Sequence, residues 1–134
     1  MGKRKTAKTS QRDLGRRERQ IMDVIFQLGE ASVGGVLELL PDPPSYSSVR
    51  TMIRLLESKG FLRHRRDGNR YVYRPTQSKE SASRTALQHL ISTFFSGSPS
   101  DAVAAILDES SDNLSDIDLE RLEQLIDEAR KEGR

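Results

Sequence analysis

Cysteine is absent from the chain. That absence removes a disulfide framework, a thiolate metal site and a cysteine nucleophile, and it fits a reducing compartment. Aromatic residues make up 5% and hydrophobic residues 34%, so any core is thin and mostly aliphatic. At 134 residues the chain is sized for one small domain, or one with an appendage. No apolar run is long enough to cross a bilayer, and the N-terminus lacks the apolar segment of a signal peptide. The expectation is a cytoplasmic protein with no membrane insertion. No glycine loop suits a phosphate. The histidines are His64 and His89, which sit in different contexts and form no catalytic constellation. Asp112, Asp116 and Asp118 lack the glycine and the spacing of a calcium loop. The sequence therefore predicts no enzyme, no metal site and no cofactor.

What is present is charge of uneven sign. The net +2 conceals a split. Residues 1–80 hold 17 Lys/Arg against 9 Asp/Glu, a net +8, and residues 81–134 hold 5 against 11, a net −6. Such asymmetry suggests that the first half meets a polyanion while the second does something else. The opening "MGKRKTAKTSQR" reads as a basic arm over residues 1–12.

Periodicity places the elements. Ile21, Val24, Ile25 and Leu28 recur at helical spacing, with Glu18 three residues after Gly15 and Gly29 placed to close the helix. Ser32 is a candidate N-cap for a short helix, "VGGVLELL", before the break at "PDPPS". A third helix is expected from near Ser47 to Gly60. "FLRHRRDGNRYVYRP" then reads as a hairpin turning at Asp67-Gly68, with Asn69 able to lengthen the loop. Three helices and a hairpin are the order of a winged helix-turn-helix, in which the third helix reads DNA and the hairpin is the wing. Phe61 and Leu62 are placed to pack the wing on the helices.

The second half is helical. One stripe runs through Ala82, Ala86, Leu90, Ile91, Phe94 and Phe95. Ser98, Pro99 and Asp101 begin a helix carrying Val103, Ile106 and Leu107. Ser115 and Asp118 begin another, with Leu119, Leu122, Leu125, Ile126 and Ala129. Short amphipathic helices of this kind have no core of their own and must pack on something. A second copy is the simplest partner, and folding back on the first half is the competing arrangement. The fold expected is mainly α: a winged helix-turn-helix over residues 13–76, followed by a helical dimerisation domain over 77–134.

The third helix carries the sharpest functional signal. Val49, Met52, Ile53 and Leu56 make one apolar face, while Ser47, Arg50, Thr51, Arg54 and Ser58 make the other, with no acid among them. A merely solvated face usually mixes signs, because opposite charges at this spacing support the helix. The major groove admits one helix and offers guanine acceptors that match a guanidinium fork. Hydroxyls let the backbone approach and can bond phosphate or base. The wing arginines Arg63, Arg65, Arg66, Arg70 and Arg74, and Arg16, Arg17 and Arg19 at the head of the first helix, suit phosphates. The candidate DNA-binding set is Arg17, Ser32, Tyr46, Ser47, Ser48, Arg50, Thr51, Arg54, Arg65, Arg66, Asn69 and Arg70. A winged helix that turns the same arginines to an acidic protein partner is the rival reading; preference among duplex sequences separates the two.

From Leu14 to about Arg130 the chain also resembles the penicillinase-repressor family (the BlaI/MecI type) of bacterial winged-helix repressors. The likeness is carried by "LGRRERQIMDVIFQLGEAS", "YSSVRTMIRLLESKGFL", "GNRYVYRP" and "NLSDIDLERLEQLID". It implies a homodimer that binds an inverted-repeat operator in double-stranded DNA and blocks transcription. Ser47, Ser48, Arg50, Thr51 and Arg54 would sit where the family contacts its operator. It also implies a membrane sensor protease as a partner. The family's resistance repressors are cut between an Asn and a Phe, but the matching positions here are Ala105 and Ile106. The cysteine cluster of its copper-responsive branch is missing.

Overall fold

A computed structural model describes residues 14–133. It divides into two compact units, one ending at Arg84 and one beginning at Thr85. The basic arm expected over residues 1–12 lies outside the described residues.

In the first unit, helices α1 (Arg16–Leu28), α2 (Val33–Leu39) and α3 (Tyr46–Ser58) precede strands β1 (Leu62–Asp67) and β2 (Arg70–Pro75). Each helix start has a local cause. The Glu18 carboxylate accepts the Gly15 N–H at 3.0 Å, and the Ser32 hydroxyl accepts the Gly35 N–H at 3.1 Å. For α3 the cap is Ser45, whose hydroxyl accepts the Ser48 N–H at 3.1 Å. The helix thus starts one residue before the expected Ser47 and its last helical residue is Ser58, with Lys59 as its C-cap. Gly60 follows at φ +92°, the left-handed turn that leads the chain into β1.

The core comes from the apolar faces of all three helices. Ile21, Ile25, Val36, Val49, Ile53 and Leu56 are fully buried. Phe61, Leu62 and Tyr73 join the same cluster, so the hairpin packs on the helices as its leading residues suggest. An isolated two-stranded hairpin is marginal in water, and two further attachments hold this one. Ala31 exchanges both backbone hydrogen bonds with Tyr73, at 2.9 and 2.8 Å, as an isolated antiparallel bridge beside β2. The Thr76 hydroxyl donates to the Gly60 carbonyl at 2.7 Å.

The register of the wing corrects the expected turn. Asp67 pairs with Arg70, so the two-residue loop is Gly68-Asn69 rather than Asp67-Gly68. Its first position, Gly68, takes φ +65°, a left-handed conformation that glycine adopts without steric cost. Residues directly opposite share a face, so Leu62, His64 and Arg66 lie with Pro75, Tyr73 and Tyr71.

Helix α4 (Lys79–Phe94) leads out of the first unit. In the second unit, α5 (Pro99–Glu109) and α6 (Asp116–Lys131) flank a single turn at Ser111–Asn113. Ser98 caps α5 by accepting the Asp101 N–H, and Ser115 and Asp118 bond each other's backbone N–H reciprocally. The Ser115 backbone N–H, donated to the Asp118 carboxylate and aided by the Ser115 hydroxyl, holds that carboxyl below its usual range. Of the hydrophobic residues described in this unit, Ala102 is buried, while Phe94 is 71% exposed. Among the described residues no single helix is long and apolar enough to cross a membrane.

Candidate nucleic-acid interface

The interface follows from how α3 is buried. With Val49, Ile53 and Leu56 packed inward, the residues at 47, 50, 51 and 54 must face outward, because 3.6 residues make one turn. Ser47, Arg50, Thr51 and Arg54 are all exposed. Neither arginine forms an ion pair among the described residues. Ser48 is also exposed, although its hydroxyl accepts from Ser45 at 3.1 Å and so is already engaged.

Between this helix and the wing lies an open groove of about 440 Å³. Ser32 at the head of α2, Tyr46 and Arg50 of α3, and Arg66, Asn69 and Arg70 of the wing all line it. Three elements separated in sequence thus bring half of the candidate DNA-binding residues to one concavity, with no acid in its lining. Val33, Tyr71 and Tyr73 complete the walls and were not singled out from the sequence. The available signal was the strand's two-residue period, which puts Tyr71 and Tyr73 on the face of Arg66. The Arg66 guanidinium carbon lies 5.8 Å from the Tyr71 ring centre, a cation–π distance that steadies the side chain over the groove. Burial pushes the Tyr73 phenol up, and nearby Glu57 adds to this against the smaller opposite pull of Arg54 and Arg50. Tyr73 therefore stays a neutral phenol.

Two expected DNA-binding arginines have structural partners instead of open donors. Arg17 donates to the Pro41 carbonyl at 2.8 Å, the Asp42 carbonyl at 2.9 Å and the Gln20 side chain at 3.0 Å. Its charge promised an interface role, but the fold uses the fork to pin the α2–α3 loop, where Asp42 sits at φ +43°. Arg65 makes a two-point pair with Glu30, at 2.7 and 3.3 Å, on the opposite face of β1 from Arg66. The Arg65 hydrogen bond holds the Glu30 carboxyl below its usual range. Arg70 contacts Asp67 at 3.3 Å across the turn, and both remain half exposed. Arg66 is left as a wing cation of the groove without an ion pair among the described residues.

The residues expected at a dimer interface stand elsewhere. Leu90, Ile91 and Phe94 lie on α4, Phe95 just past its end, Val103, Ile106 and Leu107 on α5, and Leu122, Leu125 and Ile126 on α6. None is buried within the chain. Ala105 and Ile106 fall inside α5, the former half-buried and the latter exposed.

A helix face carrying Ser47, Arg50, Thr51 and Arg54 beside a two-stranded wing, over a helical core, is the architecture of a winged-helix transcription regulator, and family and fold alike are those of DNA-binding regulators, not of enzymes. The model of the family described as penicillinase repressor matches residues 14–128, and the chain belongs to that family. The chain is similar to the penicillinase repressor of Bacillus licheniformis, with 25% identity over 113 residues, which cover 83% of this chain and 87% of that one. It is 28% identical over 111 residues to the uncharacterized 16.5 kDa protein in the ptsI 3′ region of Latilactobacillus sakei, covering 81% and 75%. A chain from Bacillus cereus ATCC 10987, described as a MarR-like transcription regulator, aligns over 91% of this chain and 79% of its own, with 18% identity and a TM-score of 0.48.

Proposed function

We propose that the protein represses transcription as a homodimer bound to an inverted-repeat operator, with α3 in the major groove of each half-site and the wing on the adjacent backbone. The observation that carries this reading is the groove between α3 and the wing, which gathers Ser32, Tyr46, Arg50, Arg66, Asn69 and Arg70 without an acid. Arg50 and Arg54, one turn apart, reach base edges, and the wing cations fix register on the phosphates. The apolar side chains left open on α4, α5 and α6 supply the contact between copies, so that protein symmetry matches operator symmetry. A membrane sensor protease upstream rests on family kinship alone. Cutting between Ala105 and Ile106 would require α5 to open.

Selection of preferred sites from a random duplex pool tests the reading. Recovery of an inverted repeat with one centre-to-centre spacing supports it. Recovery of generic DNA with no preferred sequence overturns it and assigns the arginine face to an acidic protein.

A further inference from the structure

Helix α3 carries one acid, Glu57, and the fold hands that acid to the wing. The carboxylate oxygen of Glu57 lies 2.6 Å from Nδ1 of His64 on β1. The imidazole is stacked on Tyr71 at 4.3 Å between ring centres and tilted against Tyr73 at 5.6 Å. Both tyrosines line the groove that the candidate DNA contacts share. From this geometry we propose that His64 is a positioning residue for DNA binding: it ties the wing to the reading helix, and by taking up a proton it cancels the Glu57 charge that DNA phosphates would otherwise meet. The inference rests on the DNA-binding function proposed above.

The two roles belong to different nitrogens. Nδ1 faces the carboxylate, so an N–H sits there both in the neutral tautomer that this contact selects and in the imidazolium. The tie therefore persists whichever form is present. Protonation of Nε2 changes only the charge, taking the pair from one net negative charge to none. The groups facing the ring are Glu57 from α3, the phenols of Tyr71 and Tyr73 from β2, and Arg66 along the same face of β1, with Arg50 and Arg54 of α3 acting on Tyr73. Of these side-chain types, histidine is the one whose charge proteins most readily switch.

The sign follows from linkage. A polyanion favours the form with one more positive charge, so binding draws a proton onto the ring. Affinity then falls as rising pH removes that proton. The partners are about one-third exposed, at 35% for His64 and 29% for Glu57, so solvent screens the effect. The expected loss is roughly three- to tenfold per half-site between about pH 5.5 and 8.

The test titrates the full chain against its selected duplex across that range at fixed ionic strength, with calorimetry in buffers of different ionisation enthalpy to count protons. The parent should lose affinity as pH rises and take up protons on binding. His64→Asn, which keeps an amide donor near the Nδ1 position but cannot titrate, should bind with one affinity and no proton uptake. Glu57→Gln should bind more tightly at the alkaline end. His89→Asn should follow the parent, separating the effect from any titration elsewhere in the chain. A flat parental profile, or the same slope in His64→Asn, overturns the charge role. Without DNA, His64→Phe keeps a ring for stacking and removes the tie, and should speed amide exchange at Val72 and Tyr73; unchanged exchange overturns the positioning role. If no duplex is preferred at any pH, the DNA-binding function itself fails and takes the charge role with it. A preferred duplex with a pH-independent affinity removes this inference alone.

Discussion

Replacing Phe94 by aspartate tests the assignment of the C-terminal helices as the contact between copies. Phe94 is 71% exposed in the single chain, so its removal costs that chain little internal packing. Full burial of a phenylalanine side chain contributes about 1.5–3 kcal/mol, and covering the exposed part contributes about 1–2 kcal/mol. In a two-fold dimer the residue occurs twice, which raises this to about 2–4 kcal/mol. Aspartate adds an unpaired carboxylate that must be desolvated at each position, a further cost of several kcal/mol if it stays charged. A total beyond about 4 kcal/mol weakens association by about a thousandfold or more. Sedimentation equilibrium over a wide concentration range reads this directly, with circular dichroism confirming that helix content is retained. Phe94→Ala should show the smaller, purely apolar loss. If Phe94→Asp keeps the parental mass and the same concentration dependence, Phe94 lies outside the contact and the apolar stripe of α4 faces something else.

Arg54→Ala should reduce specific binding by about 1–3 kcal/mol and relax preference at one base position; uniform weakening over all sequences would place Arg54 on phosphate only. Arg66→Ala should lower the slope of log affinity against log salt by about one, while Arg65→Ala should change it less, since Glu30 already neutralises that guanidinium. Equal slopes for the two variants would contradict the division between groove and back of the wing. Glu18 gives a stability prediction. Partial burial pushes its carboxyl up, but the Gly15 N–H and the Lys59 ammonium, 2.9 Å away, together hold it below 4.5. Its depressed value means that the stabilisation is present above about pH 4.5 and is lost as pH falls through the folded-state value. Glu18→Gln should therefore cost about 1 kcal/mol at neutral pH and flatten the acid limb of urea-unfolding stability; an unchanged limb would remove Glu18 from the linkage.

The elements themselves were legible because their causes are local. Helix stripes repeat within eight residues, and the caps at Ser32, Ser98 and Ser115 act over three. The outward face of α3 could be read because the inward face of the same helix was apolar. The sequence by itself therefore determined the order of elements, the outward face of α3 and the surplus of positive charge on the first half. It did not reveal which arginines keep their donors open, because that depends on partners far along the chain. Arg17 finds carbonyls 24 and 25 residues away, Arg65 finds Glu30 at a separation of 35, and Lys59 finds Glu18 at 41. The Ala31–Tyr73 bridge and the seating of His64 on Glu57 and Tyr71 likewise wait for the wing to dock. Local periodicity and capping act over a turn or two of chain, so composition and spacing carry them. Ion pairs and strand edges form only once the core has brought distant segments within about 3 Å, and that placement was decided by the tertiary structure.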